Sequence, residues 1–111
     1  MTPERFSFST RDDSIRERVV DRPERWNLLI AHVVLPSEEA VHRHPTDADA
    51  FVTVVRGTLS MEVEGVAETE HPRGSVLFLP KGTPMAPRNA GPEALEFFVV
   101  KTPHPQAASK S

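Results

Sequence analysis

The chain contains no cysteine. That excludes disulfides, thiolate metal ligands and a cysteine nucleophile, and it leaves the redox compartment open. No apolar run approaches the roughly 20 residues that span a bilayer. Residues 1–14 lack the apolar centre of a signal peptide. The expected location is therefore the cytoplasm, with no membrane partner. A basic stripe is missing as well. Thirteen Lys and Arg and sixteen Asp and Glu are dispersed along the chain, for a formal net charge of -3. A phosphate backbone demands clustered cations, so nucleic acid is not an expected partner. No Ser–His–Asp order, phosphate-gripping glycine loop or dinucleotide fingerprint is present.

Glycine is scarce, with five residues, whereas proline is abundant, with eleven in 111. The prolines fall between apolar runs, at Pro23, Pro36, Pro45, Pro72, Pro80, Pro84, Pro87 and Pro92. This spacing is punctuation, and it argues against long helices. At this length and 38% apolar content the chain supplies one small core, so residues 1–111 are read as a single domain.

The runs between the punctuation read as strands. WNLLIAHVVL (26–35) is apolar on both faces apart from Asn27 and His32, and Pro36 stops it. AFVTVVRG (50–57) is rich in β-branched and aromatic residues. In TLSMEVEG (58–65), Leu59, Met61 and Val63 alternate with Ser60, Glu62 and Glu64, which predicts one buried and one wet face between Gly57 and Gly65. VAETEH (66–71) predicts an exposed strand, SVLFLP (75–80) a buried one, MAPRN (85–89) a short extended piece and ALEFFVVK (94–101) the last strong strand. IRERVV (15–20) fits a short helix or a strand equally well. Phe6 and Phe8 alternate with serines in an edge strand or loose arm. The core is expected over about 26–101, and the polar tail 104–111 is expected to be disordered. Seven or eight short strands with Gly/Pro turns predict an all-β sandwich or small barrel.

Two stretches carry a family resemblance. HRHPTDAD…VVRG (42–57) resembles the first cupin motif, in which two histidines flank one residue, a carboxylate follows and a glycine closes the next strand. GSVLFLPKGTPMAPRN (74–89) resembles the second, with Gly74, Pro80, Gly82 and Asn89 at that motif's positions. The similarity covers roughly residues 28–100. It implies a small single-domain cupin: a double-stranded β-helix, or jelly-roll barrel, with an incomplete set of metal ligands. Three of these residues also have structural work to do. Gly74 permits a tight turn, Pro80 ends a strand, and Asn89 caps its own turn.

The resemblance implies a site of three histidines and one carboxylate holding a divalent transition metal, Fe, Mn, Ni, Cu or Zn. His42 and His44 match the first two ligands, and residues two apart in a strand point the same way. Counting forward from His44 places Asp49 at the carboxylate position, whereas counting back from Gly57 places Ala50 there. Met85 stands at the remaining histidine position, where a thioether is a soft ligand or simply an apolar gap-filler. His32 either shares the pocket with His42 and His44 or is a buried, hydrogen-bonded ring. The candidate pocket is thus His32, His42, His44, Asp49 and Met85, and the candidate metal ligands are His42, His44 and Asp49. Trp26, Phe51, Phe78, Phe97 and Phe98 are read as packing residues, Arg88 as a surface cation or an anion clamp, and His71 and His104 as solvated.

The leading functional expectation is a cupin barrel that binds a small molecule (a sugar, an organic acid or a related metabolite) with weak or no metal binding. The alternatives are a metal-dependent dioxygenase, isomerase or decarboxylase, and a non-catalytic regulatory module. The resemblance also implies a homodimer, to which the Phe6–Phe8 segment would contribute an edge or exchanged strand.

Overall fold

The computed structural model describes residues 2–63 and 66–108. Glu64 and Gly65, the end of the alternating strand expected over 58–65, lie outside the described residues. Within them the chain forms β1 (Ile15–Arg22), β2 (Leu28–Leu35), β3 (His44–Pro45), β4 (Ala50–Arg56) and β5 (Thr58–Val63). These are followed by β6 (Thr69–Pro72), β7 (Val76–Leu79), β8 (Pro84–Arg88), β9 (Leu95–Lys101) and a four-residue helix α1 (Pro105–Ala108). The order β1-β2-β9-β4-β7 makes one sheet and β3-β8-β5-β6 the other. Every strand pair is antiparallel.

Alternation builds the interior. In β4, Ala50, Val52 and Val54 are buried, whereas Phe51 and Val55 are exposed. Opposite them in register on β9 stand Lys101, Val99 and Phe97. Leu59 and Met61 from β5 and Met85 from β8 complete the core from the facing sheet. A fully buried Val, Leu or Met is worth about 1.5–3 kcal/mol, so this inner face of paired strands is the main source of stability.

Two turn devices fix the ends of the strands. Gly57 has φ 77°, and a Cβ there would stand 2.6 Å from the Ala94 carbonyl oxygen, so glycine is required by both conformation and space. Asn89 is fully buried. Its Nδ2 donates to the carbonyls of Leu35 (2.8 Å) and Glu93 (2.9 Å), and its Oδ1 accepts from the Gly91 N–H at 3.0 Å. The cap expected of Asn89 is therefore present, and it also ties the end of β2 to the loop before β9.

Two alternatives that the sequence left open are decided, and several expectations are corrected. IRERVV is a strand, the edge β1. Residues 2–14 form no strand but lie along the sheet as an arm. Phe51 and Phe78 are not core: they are 45% and 52% exposed on the outer face of the larger sheet, with ring centroids 5.1 Å apart. The run 75–80 is correspondingly half-exposed, with Val76 outside and Leu79 inside. The tail begins as helix α1 instead of disorder, and residues 109–111 lie outside the described residues. His104 is buried, not solvated. Its Nε2 lies 2.6 Å from Asp21 Oδ1, and its backbone N–H donates to Asn27 Oδ1 at 2.8 Å. Arg88 forms an exposed pair with Glu68. Among the described residues no helix is long and apolar enough to cross a membrane.

Candidate functional site

The two sheets close on a cavity of about 270 Å³. Ala31 and Val33 of β2 and Phe97 and Val99 of β9 form its floor, and Val41, Met85 and Pro87 form the opposite wall. His44 also lines it. His44 and Met85 are register partners on β3 and β8, so both side chains point to the same face of the smaller sheet. The strand alternation of the cupin-like motif thus delivers these two predicted residues to one wall.

His44 is held by its own loop. Its Nδ1 lies 2.7 Å from the backbone carbonyl of His42. A carbonyl only accepts, so the ring donates from Nδ1, and this contact leaves Nε2 open to another partner. A ring anchored through one nitrogen in this way keeps the other for a ligand.

The other predicted residues do not join it. His42 is exposed and does not line the cavity. Asp49 is exposed between two buried alanines, Ala48 and Ala50, so the strand parity turns it away from the core. Its Oδ1 accepts the Lys81 N–H at 2.8 Å, which gives it a role in fixing the turn after β7. Ala50 holds the inward position. Among the described residues no group of three or more His, Asp or Glu side chains is placed to hold a metal ion. The residues present therefore do not fit the metal that the resemblance implies.

His32 stands on the opposite face of its strand from the cavity, since its neighbours Ala31 and Val33 line the floor. It is 0% exposed. Its Nδ1 lies 2.7 Å from Glu17 Oε2 and its Nε2 2.6 Å from Glu96 Oε2. Phe98 stacks on the ring at a centroid distance of 4.8 Å, and Phe8 of the N-terminal arm covers it at the same distance. The Ser9 N–H and hydroxyl donate to the two oxygens of Glu17. The hydrogen bond from His32 and the one from the Ser9 backbone hold the Glu17 carboxyl below its ordinary range. Arg56 approaches Glu96 Oε1 with its Nε at 3.3 Å, an ion pair without hydrogen-bond geometry, and Arg56 Nη1 bonds Asp12 at 2.6 Å. The alternative reading of His32, a buried ring with hydrogen-bonded partners, describes this arrangement.

Sequence reasoning missed three cations at the cavity mouth: Arg16, Arg18 and Lys101. Arg18 pairs with Asp21 at 3.2 Å and Lys101 with Asp47 at 2.6 Å. The available signal was the two-residue spacing of the arginines in IRERVV, which carries meaning only once that segment is a strand. A second hollow, about 430 Å³, lies between Arg18, Leu29, Lys81 and His104 and includes none of the predicted site residues.

Two antiparallel sheets closing on an apolar cavity, with the strand–turn–strand of residues 74–89 contributing to both, define a cupin-type double-stranded β-helix. The chain belongs to the cupin family: the cupin domain profile matches residues 31–101. An uncharacterised protein of Methanocaldococcus jannaschii is 30% identical over 80 residues, covering 72% of this chain and 69% of the relative. The crystal structure of an RmlC-like cupin family protein from the same organism superposes with a TM-score of 0.89 at 24% identity over 98% of both chains. A cupin 2 conserved barrel domain protein of Salinispora arenicola superposes at 0.71, with 15% identity over 95% of this chain and 91% of that one. These two structural likenesses describe the fold.

Proposed function

We propose that this cupin binds a small molecule in the cavity between the sheets, with His44 as its polar contact, and that binding does not require a metal. The observation that carries the reading is the division of the motif residues. His44 and Met85 line the cavity, whereas Asp49 is committed to the Lys81 N–H outside it. A concave, mostly apolar site with few polar groups suits a small organic ligand. The volume, 270 Å³, lies just below the roughly 300–1,000 Å³ of sites for drug-sized molecules, so the occupant is small.

A metal-dependent enzyme is the competing reading, and the His44 Nε2 left open by the Nδ1 contact is what favours it. It would require His42 and Asp49 to swing toward His44. Metal content of the tag-free protein, measured by inductively coupled plasma mass spectrometry, separates the two. We expect less than about a tenth of an equivalent of any transition metal, unchanged in His42→Ala/His44→Ala. Near one equivalent of one metal, lost in the double variant, would replace the proposal with the metalloenzyme.

We propose that the chain forms a homodimer through the outer face of the larger sheet. Phe51, Val55, Val76 and Phe78 form an apolar surface there, and patches of this kind mark association surfaces.

A further inference from the structure

The cavity wall is apolar, but its mouth is cationic. Arg16 pairs in register with Val33, and Arg18 with Ala31. Both β2 partners line the floor, so the two arginines stand on the cavity side of β1, about 7 Å apart along the strand. Lys101 of β9 joins them. The lining includes a single acidic residue, Glu17. Its carboxylate is already bonded to His32 and Ser9. Arg18 and Lys101 have carboxylate partners, Asp21 and Asp47. Arg16 is exposed and forms no ion pair among the described residues. One guanidinium at the mouth is thus left without its natural partner, a planar anion bound through paired N–H donors.

Resting on the reading of the cavity as the ligand site, we infer that its ligand class is the small organic carboxylate. The carboxylate sits at the mouth on Arg16, with Arg18 adjacent, and the apolar body lies against Val33, Phe97, Val99 and Met85. A sugar is disfavoured because, inside the cationic mouth, His44 is the single polar side chain lining the cavity, so most of its hydroxyls would be buried without a partner, which opposes binding. Overall the chain is net negative, so the cation excess is local to this opening and does not reflect a generally basic surface.

The test is titration of methyl-labelled protein, followed by NMR, with benzoate, phenylacetate and 4-methylvalerate, each beside its neutral amide. The inference expects shifts at the Val33, Val99 and Met85 methyls. It expects each acid to bind at least about tenfold more tightly than its amide, as a charge-assisted hydrogen bond provides. Arg16→Gln should remove that preference, whereas Arg73→Gln, the same charge change at an exposed position off the cavity, should keep it. Equal binding of acid and amide, unaltered by Arg16→Gln, overturns the anion inference and leaves the cavity as the ligand site. Absence of shifts at these methyls with all six compounds, at concentrations up to about 10 mM, overturns both. Preservation of the wild-type spectrum in Arg16→Gln, an exposed edge substitution, verifies that the variant is folded.

Discussion

At His32 two carboxylates converge on one buried imidazole. Each ring nitrogen lies within hydrogen-bond distance of a carboxylate oxygen, so the imidazole bridges Glu17 and Glu96. Removing the ring would leave two carboxylates facing each other under Phe8 and Phe98. We expect His32→Ala to cost about 2–4 kcal/mol in urea denaturation. The pH dependence follows from Glu17, whose carboxyl is held low chiefly by the His32 hydrogen bond. A depressed carboxylate contributes its stability above its ordinary value near 4.5. That contribution is lost as pH falls through the depressed folded value. Calorimetric melting temperatures should therefore fall on acidification below about pH 4.5. In Glu17→Gln they should start lower at neutral pH and fall less steeply, and parallel curves would reject the assignment. Asp21, lowered by its hydrogen bond to His104, contributes to the same acid limb in both proteins. The face of His32 was not legible in LLIAHVVL, because a strand apolar on both sides gives no parity signal. Asn89 was legible because its role is local: a side-chain cap is written in the few residues around it.

Among the elements, the arm before β1 has no regular structure and is held by side-chain contacts. Phe8 covers His32 and Phe98, Ser9 binds Glu17, Asp12 binds Arg56, and Ser14 binds Glu39. It covers the β1–β2–β9 part of the larger sheet's outer face and leaves Phe51 and Phe78 on β4 and β7 exposed. Replacing Phe8 with Ala should cost about 1 kcal/mol, since the ring is only half covered. Hydrogen exchange in β1 and β2 should accelerate with it. At the β4–β5 turn, Gly57→Ala combines left-handed strain with a clash at the Ala94 carbonyl. A loss of about 2–4 kcal/mol is expected by denaturant titration. The strands around Gly57 and through residues 74–89 could be read from alternation and Gly/Pro spacing. β1 could not, because IRERVV satisfies helical and strand periods alike. With its identity undecided, the alignment of Arg16 and Arg18 was invisible, and so was the cationic mouth.

For the molecule as a whole, the two faces of the larger sheet divide the work. The inner face holds the cavity, and the outer face presents Phe51, Val55, Val76 and Phe78 to solvent. Sedimentation velocity should show a concentration-dependent dimer, and Phe51→Glu/Phe78→Glu should yield monomer with the cavity methyl spectrum retained. A monomeric wild type at high concentration would remove the assignment. The all-β architecture was legible because barrel strands repeat a simple pattern. The outward Phe51 and Phe78 were not, since aromatic content reports burial without saying which surface provides it. The chain has a single tryptophan. Trp26 lies between β1 and β2, where Phe6 of the arm meets it edge-on at 5.8 Å and Arg25 lies over its ring. Intrinsic fluorescence is therefore an optical gauge of the arm's seating. Circular dichroism follows the sheets instead, and a divergence of the two signals on heating would record the arm lifting before the barrel opens.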